Sequence, residues 1–434
     1  MMDLSSINPL LKDEYEDYIV ELVHTETVAL DLFTDGDTST ADGRRVILPA
    51  HLRRDHAGIG FVGEGRQLPT PAAEQSGFFT IPFRKSAARF QITKESIDQA
   101  QTNRGSFVRT LSFIMDHLVE NLVDIRNKAM CHYGADILGY VNGNPDANAT
   151  TITVDTPGGV VLPTGVTNGT RFFQVGQIVA GITSGALVTN SPVTIAAVAP
   201  SGNYANLTLA ANTANFADND VLVRAHATGI TDLADTSWYQ APMGLLGMVD
   251  DGTYVMDYFG LNRGTWDALK SYVFSSVGAL SSDILQQGID VAYARGRGQI
   301  SKFVCEQAVR RQIIALREGD VRYNVGPGGE LVNPDGASKA FRRGQTITWG
   351  EVPILVDYNF PYGMLLGLDT NTLVKYSVVP GKFEDWGGSV LVPAAQTHTA
   401  TGLFYMVDNF FLDAPNKCVR WDGIDVTVNN VHVE

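Results

Sequence analysis

Charge is scarce in this chain. Only 18% of its 434 residues are Asp, Glu, Lys or Arg while 44% are apolar, which excludes a disordered solvated polymer and points to a well-buried, strand-rich protein. Cysteine is scarcer still. Cys131, Cys305 and Cys418 are widely scattered and form no metal-ligand spacing, so neither a zinc module nor a disulfide framework is expected, and no cofactor is implied. No apolar run approaches the ~20 residues of a membrane helix. The start, MMDLSSINPLLKDEYEDYIVELV, is acidic and lacks a basic region followed by an apolar one, so the chain is expected to be soluble and intracellular when made. The net charge of −15 argues against a protein built to grip nucleic acid, although an acidic wall would leave a neighbouring duplex free to move.

Catalytic and metal motifs are equally sparse. The zincin, paired-cysteine and phosphate-loop patterns are absent. Gly181-Ile182-Thr183-Ser184-Gly185 has Thr where a nucleophile-elbow serine would stand and reads as a turn. Asp35-Gly36-Asp37 begins like a calcium loop, but Thr40 replaces the turn glycine and Val46 the bidentate Glu, so a solvated loop is expected. His51 and His56 lie beside Asp55 without further ligands, and Asp250-Asp251-Gly252 reads as a turn. The sequence predicts no enzyme.

What is present is an extended ribbon that runs into one long helix. The ribbon goes out as GIGFVGEGRQLPTPAAEQSG from Gly58 and returns as FFTIPFRKSAARFQIT from Phe78. Phe79, Ile81 and Phe83 alternate with small or polar neighbours, as do Ala88, Phe90 and Ile92, which is the period of a strand. Pro82 cannot donate to a ladder, so an edge strand or free-standing ribbon is expected. From Arg104 to Tyr133 the period changes: Phe107, Leu111, Ile114, Leu118, Leu122, Ile125 and Ala129 recur at steps of three and four. About thirty helical residues span about 45 Å. Such a ribbon cannot bury its apolar residues on itself and calls for a neighbour.

Elsewhere the pattern is mixed. Asn8 to about Phe33 reads as helix. Between Ala149 and Ala217 only Asp155 and Arg171 are charged, and short β-branched runs at 152–154, 160–162, 177–179, 193–195, 207–209 and 221–223 are separated by turn residues, as in a small sandwich or barrel. Helices are expected from Asn262 to Phe274, from Ser281 to Arg295 with Ser282 and Asp283 as caps and Gly296 as stop, and from Gln307 to Leu316. From Thr346 onward the signal is almost all strand. Trp349, Trp386, Trp421, Phe404, Tyr405, Phe410 and Phe411 alternate within it and read as core.

The ribbon and helix together resemble the E-loop and spine helix of tailed-phage major capsid proteins, the Hong-Kong-ninety-seven fold. Phe303-Val304-Cys305-Glu306 through Ala315-Leu316-Arg317-Glu318-Gly319-Asp320-Val321-Arg322-Tyr323 is similar to that family's strand, helix and acidic turn, and Trp349-Gly350-Glu351-Val352-Pro353 to its "WG-x-PV" strand. The resemblance implies an α+β phage major capsid fold divided as follows: an N-terminal arm (1–57) over neighbouring subunits, an E-loop (58–95), a peripheral domain with the spine helix (96–147, 243–277 and strands at 373–434) and an axial domain (278–372). An inserted all-β domain (148–242) interrupts that pattern. Packing of part of the arm on its own chain is the alternative.

The same resemblance implies a shell protein that assembles with itself into pentamers and hexamers and encloses packaged DNA. Its implied location is the virion capsid, assembled in the host cytoplasm. Implied partners are a scaffolding protein, a portal, a decoration protein and, non-specifically, double-stranded DNA, with no membrane. Contact candidates between subunits are Arg66, Phe79, Ile81, Phe83, Arg84 and Lys85 on the E-loop, and Arg44, Arg45, Arg53 and Arg54 on the arm. Planar guanidinium groups suit carboxylates across subunit boundaries, or phosphates. In some relatives an E-loop Lys joins a neighbour's Asn; Lys85 is the sole Lys between Gly58 and Thr93, and no acceptor context is visible. An encapsulin-like compartment enclosing a cargo enzyme shares the fold. A secreted β-rich adhesin or glycosidase is the reading from another class, with 148–242 as its binding module.

Overall fold

The computed structural model describes residues 28–38, 43–53, 59–70, 73–93, 104–143, 150–155, 170, 172–189, 191–201, 204–210, 215–318, 347–385, 391–393 and 399–426. The helix expected at 8–33 lies almost wholly outside them, as do Arg54, His56 and Trp386.

Strand β1 (Arg45–Arg53) and strand β2 (Gln75–Pro82) form a two-stranded antiparallel hairpin, with Arg45 opposite Pro82 and Arg53 opposite Gln75. The outgoing strand therefore lies inside the segment expected to be an N-terminal arm. Val46-Ile47-Leu48 is too short a run to be read alone, and only its pairing with Phe79 and Ile81 makes it half of the ribbon. Pro82 ends the ladder, as a residue without an N–H must. After Phe83 the chain continues as β3 (Arg84–Thr93), which leaves the ribbon and pairs along Thr399–Leu412, from Thr93 opposite Thr399 to Arg84 opposite Asp408. The return strand thus divides at Pro82 between a projecting ribbon and a packed edge.

Helix α1 (Arg104–Cys131) follows at 28 residues. Among its described side chains Met115, Val119, Leu122, Val123, Arg126, Ala129 and Met130 are buried. Leu118 and Ile125 are half-buried, so the buried face is turned from the expected stripe. Arg126 is drawn inward because its Nη2 lies 2.6 Å from Asp408 Oδ2, with both side chains almost fully buried. Asn127 donates to both oxygens of Asp357 at 3.0 and 2.9 Å, which fixes the same helix to the turn at 357–359.

Six strands then close on themselves: β4 (Ile137–Asn142), β5 (Thr151–Val154), β6 (Ile178–Thr183), β7 (Val193–Ser201), β8 (Tyr204–Leu209) and β9 (Val221–Arg224). The order is β9-β4-β5-β8-β7-β6, with β6 pairing back to β9, every pair antiparallel. Closure removes the sheet edges. The inside is apolar: Leu138, Val141, Ile152, Phe172, Phe173, Ile195, Leu207 and Leu222 pack together. Five of the six sequence runs become strands and the sixth, 160–162, lies outside the described residues. Strand β4 was expected to lie outside this sheet; its pairing with β9, from Val221 opposite Tyr140, brings it in.

Beyond the barrel, Asn262 to Phe274 is no helix. It forms a short strand, one 3-10 turn at Asp267–Leu269 and strand β10 (Tyr272–Phe274), because Arg263 is pulled into a buried set of carbonyls and Tyr272 pairs with Val419. Helix α2 (Ser282–Gly296) is capped by Ser281, one residue before the expected caps, and ends at Arg297 in the left-handed region. Strand β11 (Lys302–Cys305) leads into helix α3 (Gln307–Glu318). Strands β12 (Ile347–Trp349), β13 (Val352–Val356), β14 (Leu365–Leu368) and β17 (Val419–Trp421) join β10 and β11 in a six-stranded sheet ordered β10-β17-β14-β11-β13-β12. Trp421 is fully buried against Phe274, Phe303 and α2, so a strand expected with the peripheral segment stands in this sheet. Strands β15 (Leu373–Phe383) and β16 (Thr399–Leu412) pair with each other, and β15 pairs in parallel with Thr34-Asp35. Ala29 and Leu32 sit in the core, so this stretch of the expected arm packs on its own chain.

Candidate assembly surface

The root of the β1–β2 hairpin is anchored inside the molecule. Val46, Phe79 and Ile81 are buried with Tyr258, Leu412 and Phe411, and Phe79 meets the Phe411 ring edge-on with centroids 5.0 Å apart. Thr80 donates its N–H to Phe259 O at 2.9 Å, and Asn409 Nδ2 donates to Pro82 O. This corrects the expected contact set: Phe79 and Ile81 are core residues, and Phe83 is half-buried against the same core. Their strand alternation was legible, but which partner covered them was not.

The tip is the opposite. Ile59, Phe61 and Leu68 are 77%, 111% and 76% exposed, around a turn in which Arg66 N–H bonds Gly63 O at 3.2 Å. Glu64 and Arg66 are exposed beside them. Arg44, Arg45 and Arg53 are exposed along the outgoing strand, while His51 there lies 3.5 Å from Glu74. Lys85 is exposed but places its Nζ 4.7 Å from the centre of the Tyr405 ring. Arg84 differs from all of these. It is half-buried, no carboxylate among the described residues reaches it, and desolvation alone holds its pKa below the ordinary arginine value.

Arg84 lies on a cleft of about 490 Å³ beside the root of the hairpin. Tyr133, Tyr140, Trp238, Tyr254 and Phe259 supply aromatic walls, and Asp257 a carboxylate.

Behind the cleft is a buried charge cluster that the sequence disguised as a turn. Asp250 Oδ2 accepts the N–H groups of Gly252, Tyr254 and Val255, while Oδ1 lies 3.2 Å from Arg420 Nη2. Arg263 donates to the carbonyls of Gly247, Met248, Val255 and Leu269, and Arg420 to those of Leu246 and Val249. Both guanidiniums are fully buried, and Arg263 stacks over Tyr258 at 4.5 Å. Burial pushes Asp422 up to about 6 despite its hydrogen bond from Arg420, with Asp250 and Asp251 adding to the rise. The available signal was an arginine inside an apolar run, Cys418-Val419-Arg420-Trp421.

Little reactive chemistry accompanies this geometry. All three cysteines are free and buried, and burial raises the thiols of Cys305 and Cys418, the latter to about 12. Among the described residues no group of three or more His, Cys, Asp or Glu could hold a metal ion, and no helix is long and apolar enough to cross a membrane. Ser184 and Gly185 make the expected turn, both with positive φ.

No family model matches the chain, and no curated protein matches it in sequence. Solved structures do. The cyanophage A-1(L) capsid asymmetric unit is 10% identical, with 88% of each chain covered and a TM-score of 0.49. A structure from Gordonia phage Cozz is also 10% identical, covering 92% of this chain and 86% of that one at a TM-score of 0.43. The holo-SrpI encapsulin complex from Synechococcus elongatus PCC 7942 is 14% identical but covers 44% of this chain and 60% of that one, at 0.28. The chain is therefore similar to phage capsid structures over most of its length and to an encapsulin over less than half.

Proposed function

We propose that this chain is the major shell protein of a tailed phage, assembling with itself into the rings of a closed capsid around packaged double-stranded DNA. One observation carries this reading: a hairpin rooted in the chain's own core holds Ile59, Phe61 and Leu68 out in solvent at its far end. Exposed apolar groups of that size, grouped at the end of an arm, mark a surface that another molecule covers. Arms exchanged between subunits add their contacts multivalently, so weak individual seats give a stable shell. Arg44, Arg45, Arg53 and Arg66 remain contact residues in this reading, for carboxylates of neighbours or for DNA phosphates. A scaffolding protein, a portal and a decoration protein are the partners that go with it, in a virion assembled in the host cytoplasm, and no turnover is required. Electron microscopy of the purified chain, alone and with its scaffold, is expected to show closed shells or rings of five and six subunits. A folded chain that stays monomeric by light scattering under all assembly conditions would refute the proposal.

The six-stranded barrel fits an inserted domain on the outer surface. Its chain leaves and rejoins the rest at adjacent points: a Cβ on Gly134 would lie 3.2 Å from Met243 Cα, and Gly244 and Gly247 pack so closely on the backbone of His132 and Tyr133 that any Cβ would collide. Segments whose ends meet are tolerated as additions. Replacing 136–241 by a short Gly/Ser linker is expected to leave a subunit that folds; a subunit unable to fold would make the barrel part of the core.

A further inference from the structure

The C-terminal end of α2 gathers cations from three parts of the chain. Arg295 and Arg297 are exposed there, and the Arg295 guanidinium lies 5.1 Å from the centre of the half-buried Tyr272 ring. Gly296 and Gly298 bring this end so close to the 415–417 turn that a Cβ on Gly296 would stand 3.0 Å from Lys417 Cγ. Lys270 joins the group from beside the 267–269 turn, and Tyr293, 61% exposed, precedes it on the helix.

Two ordinary reasons for such a cluster are already met by other groups. Cations settle at helix C-termini because the last carbonyls carry partial negative charge. Here the backbone takes those carbonyls: Arg297 N–H bonds Tyr293 O at 2.9 Å, and Gly298 N–H bonds Ala292 O at 3.1 Å. Pairing with carboxylates is the other reason. Asp267 is held by Lys270 at 2.8 Å, while Asp369 is buried and accepts the N–H groups of Gln299 and Asn371. Among the described residues no carboxylate pairs with Arg295, Arg297 or Lys417. Arg297 also holds a φ of 52°, where glycine is favoured, so its cation stands there against the backbone preference.

A chain of net charge −15 repels polyanions as a whole, so a local group of cations beside two aromatic rings selects where one can approach. We infer that this end of α2 touches the phosphate backbone of the double-stranded DNA inside the shell. The inference rests on the shell-protein reading and names the surface that faces the packaged duplex. Contact is through charge, so any base sequence is accepted. A few cations on an otherwise acidic wall position the outermost duplex without gripping it.

The first test needs no variant. Lys417 is expected to resist acetylation in DNA-filled particles and to react once the DNA has been released and digested with nuclease. Equal reactivity in the two would overturn the contact. The second test combines Arg295→Ser, Arg297→Gly and Lys417→Ser, with glycine chosen to suit the backbone at 297. For rings of this variant binding a short duplex of arbitrary sequence, the slope of log K against log salt is expected to be shallower than wild type by about 2.7, about 0.9 for each cation removed. An unchanged slope, or wild-type rings that bind poly-glutamate and not the duplex, would overturn DNA as the partner while leaving the shell reading intact. A wild-type chain that never assembles would overturn both.

Discussion

The two ends of one hairpin carry the same kinds of side chain in opposite surroundings. At the root, Phe79 and Ile81 are 4% and 0% exposed and pack on strand β16 and Tyr258; at the tip, Phe61 and Ile59 lie bare in solvent. Fully burying such a side chain contributes about 1.5–3 kcal/mol. The root gains that on folding and the tip does not, so the tip's share is still to be gained when a subunit meets another. One ribbon thus divides between folding and assembly, and the division falls where a strand leaves the body of the molecule.

The sharpest way to break this comparison is to charge the root. Ile81→Asp places an unpaired carboxylate in the core at a cost of several kcal/mol, comparable with a domain's whole stability, and no soluble folded subunit is expected by circular dichroism. A folded variant would mean the root is not core. Removing the acid that holds the nearby arginines comes next. Asp250→Ala leaves Arg263 and Arg420 buried without it, and urea unfolding of the unassembled subunit is expected to show a loss of about 3–5 kcal/mol.

A pH series sharpens the same side. Asp422 has a folded pKa of about 6, above the unfolded carboxylate value of about 4. The folded state therefore holds this proton more tightly. The stability it contributes is full below about pH 4 and is lost as pH rises to about 6, on the order of 2–3 kcal/mol in all. Unfolding measured between pH 4 and 7 is expected to show that decline in the wild type relative to Asp422→Asn, and parallel curves would remove Asp422 as its source. The smallest effect on the subunit belongs to the tip. Deleting 60–68 is expected to change the unassembled subunit's stability by no more than about 0.5 kcal/mol while abolishing stable shells. A loss as large as that of Asp250→Ala would place the tip in the core.

Most of the strands and long helices were legible because they are periodic. Phe79, Ile81, Phe90 and Ile92 announced strands, and α2 and α3 fell within a few residues of their expected limits. Asn262–Phe274 failed for an identifiable reason: Trp266, Leu269 and Val273 mimic a helical stripe, but Arg263 and strand β17 compete for the backbone and win. The candidate surface was only half legible. Arg66 is exposed at the tip, whereas Phe79 and Ile81 looked equally available until strand β16 covered them.

By itself the sequence determined what local chemistry can determine: low charge and regular apolar spacing require a buried, strand-rich body, Pro82 must end a ladder, and the chain from 149 to 217 must turn often and bury its β-branched runs. Only the tertiary structure decided the rest. It paired Val46 with Ile81, closed β9 onto both β4 and β6, and put Arg420 beside Asp250 across 170 residues of sequence. The physical reason is range. Period and turn chemistry act between residues a few positions apart, while burial and charge compensation depend on whichever distant segment arrives, and no local pattern records that partner.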